Sequence, residues 1–297
     1  MTRPILFGAF LVVIYTAVIT GADAITKLVA GGFAAPQLYA LSGLIVVALS
    51  ALADRHPSQR MGLATTCPKA MVLRSGATVL AAVAFFHAFR DLPFAEVFLF
   101  IGLMPFLAGV FSALVLGENV RPAAWLALVA GFVGVACLFP SGLAAVGVGH
   151  LWALAAAVFG TFSMVMSRFI GRYESNALAQ VFYPNLALCG AMALVLPFVW
   201  RPMEFNDLAL VAAYAVLLFA ARWLLVVALR ILAAYVATPL MNLQFIWMVV
   251  IGAVFFGETL DSNALLGAAI VIASGTYLVW DQFAPARLAR VSLRTEP

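Results

Sequence analysis

Charged side chains are scarce in this sequence of 297 residues: Asp, Glu, Lys and Arg make up 9%, against 66% hydrophobic residues. So little polar surface cannot cover a water-soluble globule of that length. Cysteine is nearly absent too. Cys67, Cys137 and Cys189 stand apart without CxxC or CxxxC spacing, so neither a disulfide framework nor a metal site is expected. No GxxxxGK[ST] loop, HExxH, GxSxG or DxxxD occurs. Nucleotide-driven pumping and the common hydrolase and metal-dependent chemistries therefore lack their residues, and no enzyme activity or cofactor is expected. The net charge of +4 is scattered over short loops rather than gathered into a patch, so no nucleic-acid partner is expected either.

What the chain does contain is long apolar runs, with a mean hydropathy of +1.12. Each is bounded by Gly, Pro or a charge and is long enough for the roughly 20 helical residues that cross a bilayer core. A barrel would alternate polar with apolar, so the fold class expected is all-α integral membrane. Ten spans are expected, at 5–29, 36–53, 70–89, 94–116, 122–139, 150–170, 177–200, 207–229, 235–256 and 263–283. The start imitates a secretory leader, with Arg3, an apolar run and Ala22-Asp23-Ala24. The run from Ile5 to Ala22 exceeds a leader's usual apolar core of about 7–15 residues, and we take it as the first span.

The stretch Leu92–Gly142 recurs 140 residues later as Leu232–Trp280. Each copy is an apolar span, a corner (Gly117-Glu118 or Gly257-Glu258) and a second span. Repetition on this scale organises a whole fold. With five spans per half, the second half must be inserted upside down relative to the first.

Lys and Arg placement sets the orientation. With the N-terminus in the cytoplasm, that side holds Arg3, Arg55, Arg60, Lys69, Arg121, Arg168, Arg172, Arg230, Arg287, Arg290 and Arg294. The opposite side holds only Lys27, Arg90 and Arg201, so both termini are expected in the cytoplasm.

Residues 70–142 resemble the EamA domain of the drug/metabolite transporter superfamily, through LPFAEVFLFIGLMPFLAGVFSALVLGENV, Trp125 and Gly131/Gly134. The second half is similar through VATPLMNLQFIWMVVIGAVFFGETL and Gly267/Gly275. The resemblance implies two inverted five-helix repeats, 1–142 and 143–284, followed by a basic tail, 285–297. It implies a bacterial inner-membrane carrier in which helices 1–4 and 6–9 enclose a cavity, with helices 5 and 10 outside at a homodimer contact. Many relatives carry Arg after a Pro in helix 2. Here that place holds Ser42, so no substrate anchor carries over to it.

Relatives of this kind export amino acids, nucleosides or amino-acid-derived metallophores, and export of a small zwitterionic or anionic metabolite is expected. ADAITK, VLRS and ATPLMNLQF are also similar to an S-adenosylmethionine-uptake branch, which keeps uptake of such a metabolite or of riboflavin as the alternative. A non-transporting membrane subunit and a membrane-embedded enzyme are the remaining readings.

Charges within spans are costly and point to function. Asp23 and Lys27, four residues apart, share a helix face and can neutralise one another or meet a zwitterion. Tyr15 and Ile19 continue that face. Arg74 in the third span and Arg222, deeper in the eighth, can both snorkel to water; turned inward instead, Arg222 can hold a carboxylate or phosphate. Asn242 and Gln244 beside Pro239, and Asn185 beside Pro184, offer amides for substrate or for interhelical bonds. His87 and Glu96, near the third hairpin, are the candidates for proton coupling.

Overall fold

A computed structural model of the protein describes residues 2–55, 62–117, 146–232 and 240–259, with 125, 129, 130, 133, 237, 262, 265–270, 272–274 and 277. Most of the fifth expected span, parts of the ninth and tenth, Glu118, Thr238, Pro239 and the basic tail lie outside the described residues. Within them, every regular element is a helix: α1 (Thr2–Ala30), α2 (Ala35–Arg55), α3 (Pro68–Asp91), α4 (Phe94–Ile101), α5 (Met104–Leu116), α6 (Val148–Gly171), α7 (Ala177–Val199), α8 (Phe205–Ile231) and α9 (Gln244–Phe256). Seven stretches are long and apolar enough to cross a membrane, with Glu96–Leu116 counted as one, and α9 is a shorter apolar helix.

Local sequence sets the boundaries. Pro68 opens α3, where its missing N–H costs nothing. Asn176 caps α7, its side chain accepting the Ala179 N–H at 3.1 Å. Gly117 and Gly257 end α5 and α9 in the left-handed conformation, at φ 65° and 63°. A Cβ is strained there, and both glycines occupy the corner expected from the repeat. The fourth expected span, 94–116, is interrupted. Gly102 and Leu103 form a turn between α4 and α5, and Pro105, in the first turn of α5, lacks the N–H that a continuous helix uses.

Packing pairs the halves reciprocally. α1 lies along α8, α3 along α6 and α2 along α7. A 140-residue shift turns the first of these pairs into the second and maps the third onto itself. Counterpart helices run antiparallel. At the start of α2, Gln37 donates to Arg201 O at 2.8 Å and accepts from Arg201 N at 3.2 Å, just past the end of α7. Likewise, Phe94 N at the start of α4 donates to Glu258, just past the end of α9, at 2.9 Å.

Small residues let the helices approach closely, which matters because lipid supplies no hydrophobic drive between spans. α3 buries Ala77, Ala81, Ala84 and Ala88, while α6 buries Ala153, Ala156 and Ala157. The outer surface carries exposed Leu114, Leu194, Phe198, Phe205 and Phe255, an apolar cladding that suits hydrocarbon.

α2 crosses α7 at close range. A Cβ on Gly43 would lie 3.0 Å from Cys189 Cβ and 3.2 Å from Asn185 O, so neither side can yield without moving backbone. Gly43→Ala is therefore expected to destabilise the protein by about 1–3 kcal/mol, read as a lowered thermal midpoint in detergent.

Candidate functional site

A cavity of about 180 Å³ lies among α1, α3, α6 and α8. At bulk water's share of about 30 Å³ per molecule, that is room for roughly six waters or one small metabolite. The wall is largely apolar, supplied by Ile19, Phe85, Met104 and Leu218 among others. Among the described residues, its charges are Asp23, Arg74 and Arg222.

Helix register places these charges along the cavity. A Cβ on Gly8 would meet Leu232, and one on Gly21 would meet Leu217, so α1 and α8 are antiparallel with their residue numbers running in opposite directions. By that register, Asp23 is level with about Ala215 and Arg222 with about Thr16. Seven residues at 1.5 Å each separate the two by about 10 Å along the helix axes. Side chains lean toward the N-terminus of their own helix, so on antiparallel helices these two lean toward one another. Tyr15, Tyr39 and Tyr214 stand within electrostatic range of both. Tyr39 donates to Ala82 O at 2.9 Å, and its ring lies 6.1 Å from that of Tyr214. Neither Asp23 nor Arg222 forms an ion pair or hydrogen bond among the described residues.

Lys27 has a different role from the one its spacing suggests. Rather than pairing with Asp23, its Nζ lies 2.6 Å from Glu258 Oε1 and donates to Leu92 O at 2.9 Å. The Phe94 and Phe256 rings flank it at 5.8 and 5.4 Å. Glu258 in turn accepts the Phe94 N–H, so one carboxylate ties α1, α4 and α9 together beyond the cavity. Gly252 leaves the room for it, since a Cβ there would stand 2.9 Å from Glu258 Oε2. At the opposite end, Arg168 donates to Leu229 O at 3.1 Å and Leu232 O at 2.7 Å. Leu92 and Leu232 are 140 residues apart, and Lys27 and Arg168 are 141 apart. Each end of the bundle thus has a cation on a carbonyl where the partner hairpin turns.

Of the other candidates, Gln244 lines the cavity as the first residue of α9. Asn242 is buried just before it, outside the cavity wall. Asn185 is buried between α2 and α7, its Nδ2 donating to Val181 O at 2.7 Å. Glu96 lies 3.4 Å from His150, while His87 stacks on Trp152 at 4.9 Å. Neither Glu96 nor His87 lines the cavity. Ser42 is buried away from it.

Arg74 does not snorkel. It is 7% exposed, lines the cavity and donates through Nη1 to Gln180 O. Pro184 lies four residues after Gln180 and has no N–H to offer that carbonyl, so the proline creates the acceptor that Arg74 occupies. Tyr39 and Tyr214 were not singled out by sequence reasoning. Tyr214 lies eight residues before Arg222, with Leu218 between, on one helical stripe, and that spacing was the available signal.

An all-helical bundle clad in apolar side chains around a cavity with unpaired charges defines a multi-pass membrane protein of transporter type. A profile of the EamA-like transporter family matches residues 3–139 and 147–280, and the chain belongs to that family. The two matched stretches are its two repeats. A solved crystal structure, described only as that of a protein, shares the fold with 21% identity and a TM-score of 0.65, covering 93% of this chain and 96% of its own. No curated protein matches the chain.

Proposed function

We propose that the protein is a ten-helix secondary carrier built as two inverted repeats that exports a small zwitterionic metabolite, an amino acid or a derivative of one, by alternating access. The cavity between Asp23 and Arg222 carries this reading: one free carboxylate and one free guanidinium, about 10 Å apart along the axis, lean toward a common centre. An ammonium satisfies the first and a carboxylate the second. The antiparallel counterpart helices support the inversion, because a repeat of this kind can gate either end around one central site.

On the family resemblance we place the chain in the bacterial inner membrane, and on the Lys and Arg distribution we set both termini in the cytoplasm. The Lys27–Glu258 contact then closes the outer face, and Arg168 braces the cytoplasmic one. Export is assigned on the family resemblance, as is a homodimer contact through the fifth and tenth expected spans, 122–139 and 263–283. Counterflow in proteoliposomes tests the core of the proposal. Vesicles preloaded with an amino-acid mixture should accumulate a labelled zwitterion transiently. Absence of counterflow across neutral, acidic and basic amino acids would refute it. Direction is read separately: a deletion strain should retain the cargo inside the cell.

Proton coupling through His87 and Glu96 becomes a proposal about two separate places, the Glu96–His150 contact and the His87–Trp152 stack. Glu96→Gln and His87→Gln are each expected to flatten the dependence of counterflow on pH between about 5.5 and 8, the range in which histidine changes charge. An unaltered profile in both variants removes the coupling role.

A further inference from the structure

The zwitterion reading uses two of the three charges in the cavity. Arg74 is the third, and its environment is that of a binding group. Its Nη1 is held by Gln180 O, while its Nε is buried with no partner among the described residues. Beside it, the Gln180 side chain, 1% exposed, accepts from Ser167 at 2.6 Å, leaving its Nε2 buried and also without a partner among the described residues. Of the two orphaned donors, the one on Arg74 belongs to a residue of the cavity wall and calls for an acceptor there, whereas Gln180 lies behind that wall.

Register places this group along the cavity. Thr78 bonds Ser163 at 2.7 Å, and Leu92 lies against Gly149, so α3 and α6 are antiparallel and Arg74 is level with about Ser167. The next residue of α6, Arg168, reaches Leu229 O, which sets Arg74 about seven residues beyond Arg222 along α8. That is roughly another 10 Å at 1.5 Å per residue. The charges therefore run in the order carboxylate, guanidinium, guanidinium from the Lys27 end to the Arg168 end.

Resting on the zwitterion proposal and extending it, we propose that the cavity takes a cargo with one ammonium and two anionic groups, net charge −1. The ammonium faces Asp23, the α-carboxylate faces Arg222, and a second anion on an extended chain faces Arg74. Among the described residues, two guanidiniums against one carboxylate leave the cavity one positive charge in excess, which such a cargo neutralises. The anchored Nη1 holds the guanidinium in place before the cargo arrives, so little side-chain freedom is lost on binding.

Competition against counterflow in proteoliposomes tests this with α-aminosuberate, its uncharged-tail analogue 2-aminooctanoate, and 2-amino-7-phosphonoheptanoate. In the wild type, α-aminosuberate should compete at least about tenfold better than 2-aminooctanoate. The phosphonate, whose tail is also anionic, should likewise compete better than 2-aminooctanoate, and failure to do so counts against a second-anion site. Arg74→Gln should bring the ratio of α-aminosuberate to 2-aminooctanoate close to one with 2-aminooctanoate unchanged, and Arg74→Lys should retain part of it. Because the readout is a ratio, a smaller folded fraction of a variant does not move it. Equal competition by the acid and the neutral analogue in wild type, or a ratio that survives Arg74→Gln, overturns the second-anion site and leaves the zwitterion proposal standing. If no amino acid competes at all, the parent proposal falls with it.

Discussion

Arg222→Gln is expected to lower transport at subsaturating substrate about a hundredfold while leaving the thermal midpoint unchanged or raised. A hydrogen bond to a charged group contributes up to about 3 kcal/mol. At 1.4 kcal/mol per factor of ten, losing the fork on a carboxylate costs about two orders of magnitude in affinity. The stability half follows from the missing partner. Arg222 makes no ion pair or hydrogen bond among the described residues, so removing its charge breaks neither and relieves a cost of at least about 2.5 kcal/mol inside a membrane. An arginine kept for packing or for an ion pair shows the reverse, a lower midpoint with transport scaling to the folded fraction. Concentration-dependent counterflow and a melting curve on the same preparation separate the two.

Glu258→Gln is expected to open the Lys27 end of the bundle. The Lys27 and Glu258 side chains are 15% and 20% exposed, so their 2.6 Å contact is shielded enough to exceed an ordinary surface pair. The same carboxylate also accepts the Phe94 N–H. A loss of about 1–3 kcal/mol shifts a two-state equilibrium roughly 5- to 150-fold. With the native cysteines replaced by serine, a cysteine at Thr26, at that end of the cavity, should react with a membrane-impermeant maleimide at least about tenfold faster in cells when Glu258 is Gln. Unchanged labelling would show that the contact is not what holds that end shut.

The sequence announces the frame of this fold plainly because lipid imposes a strict pattern: apolar runs of sufficient length, and turns where Gly117 and Gly257 permit them. Arg222 stood out as a charge within an apolar run, although its distance from the span end left snorkelling open. What could not be read was which side chains face one another. Spacing on a single helix pairs Asp23 with Lys27, but a side chain chooses among all its neighbours in space, and Glu258, more than two hundred residues away, offers Lys27 a closer carboxylate. The same limit hid Arg74. Its distance from a span end permits snorkelling, and only the carbonyl released by Pro184 on a different helix explains why it turns inward. Tyr39 and Tyr214 escaped notice because tyrosine is common near membrane boundaries, and only the packing of α2 and α8 on one chamber brings the pair together.

The order of charge along the chamber has a mechanical consequence. On the proposed function, a dipolar passenger held with its ammonium at Asp23 and its carboxylate at Arg222 keeps one heading throughout the cycle. It leaves by one doorway ammonium-first and by the other carboxylate-first, although the scaffold around it repeats itself. The two departures therefore break different bonds, and their rates are set by different residues.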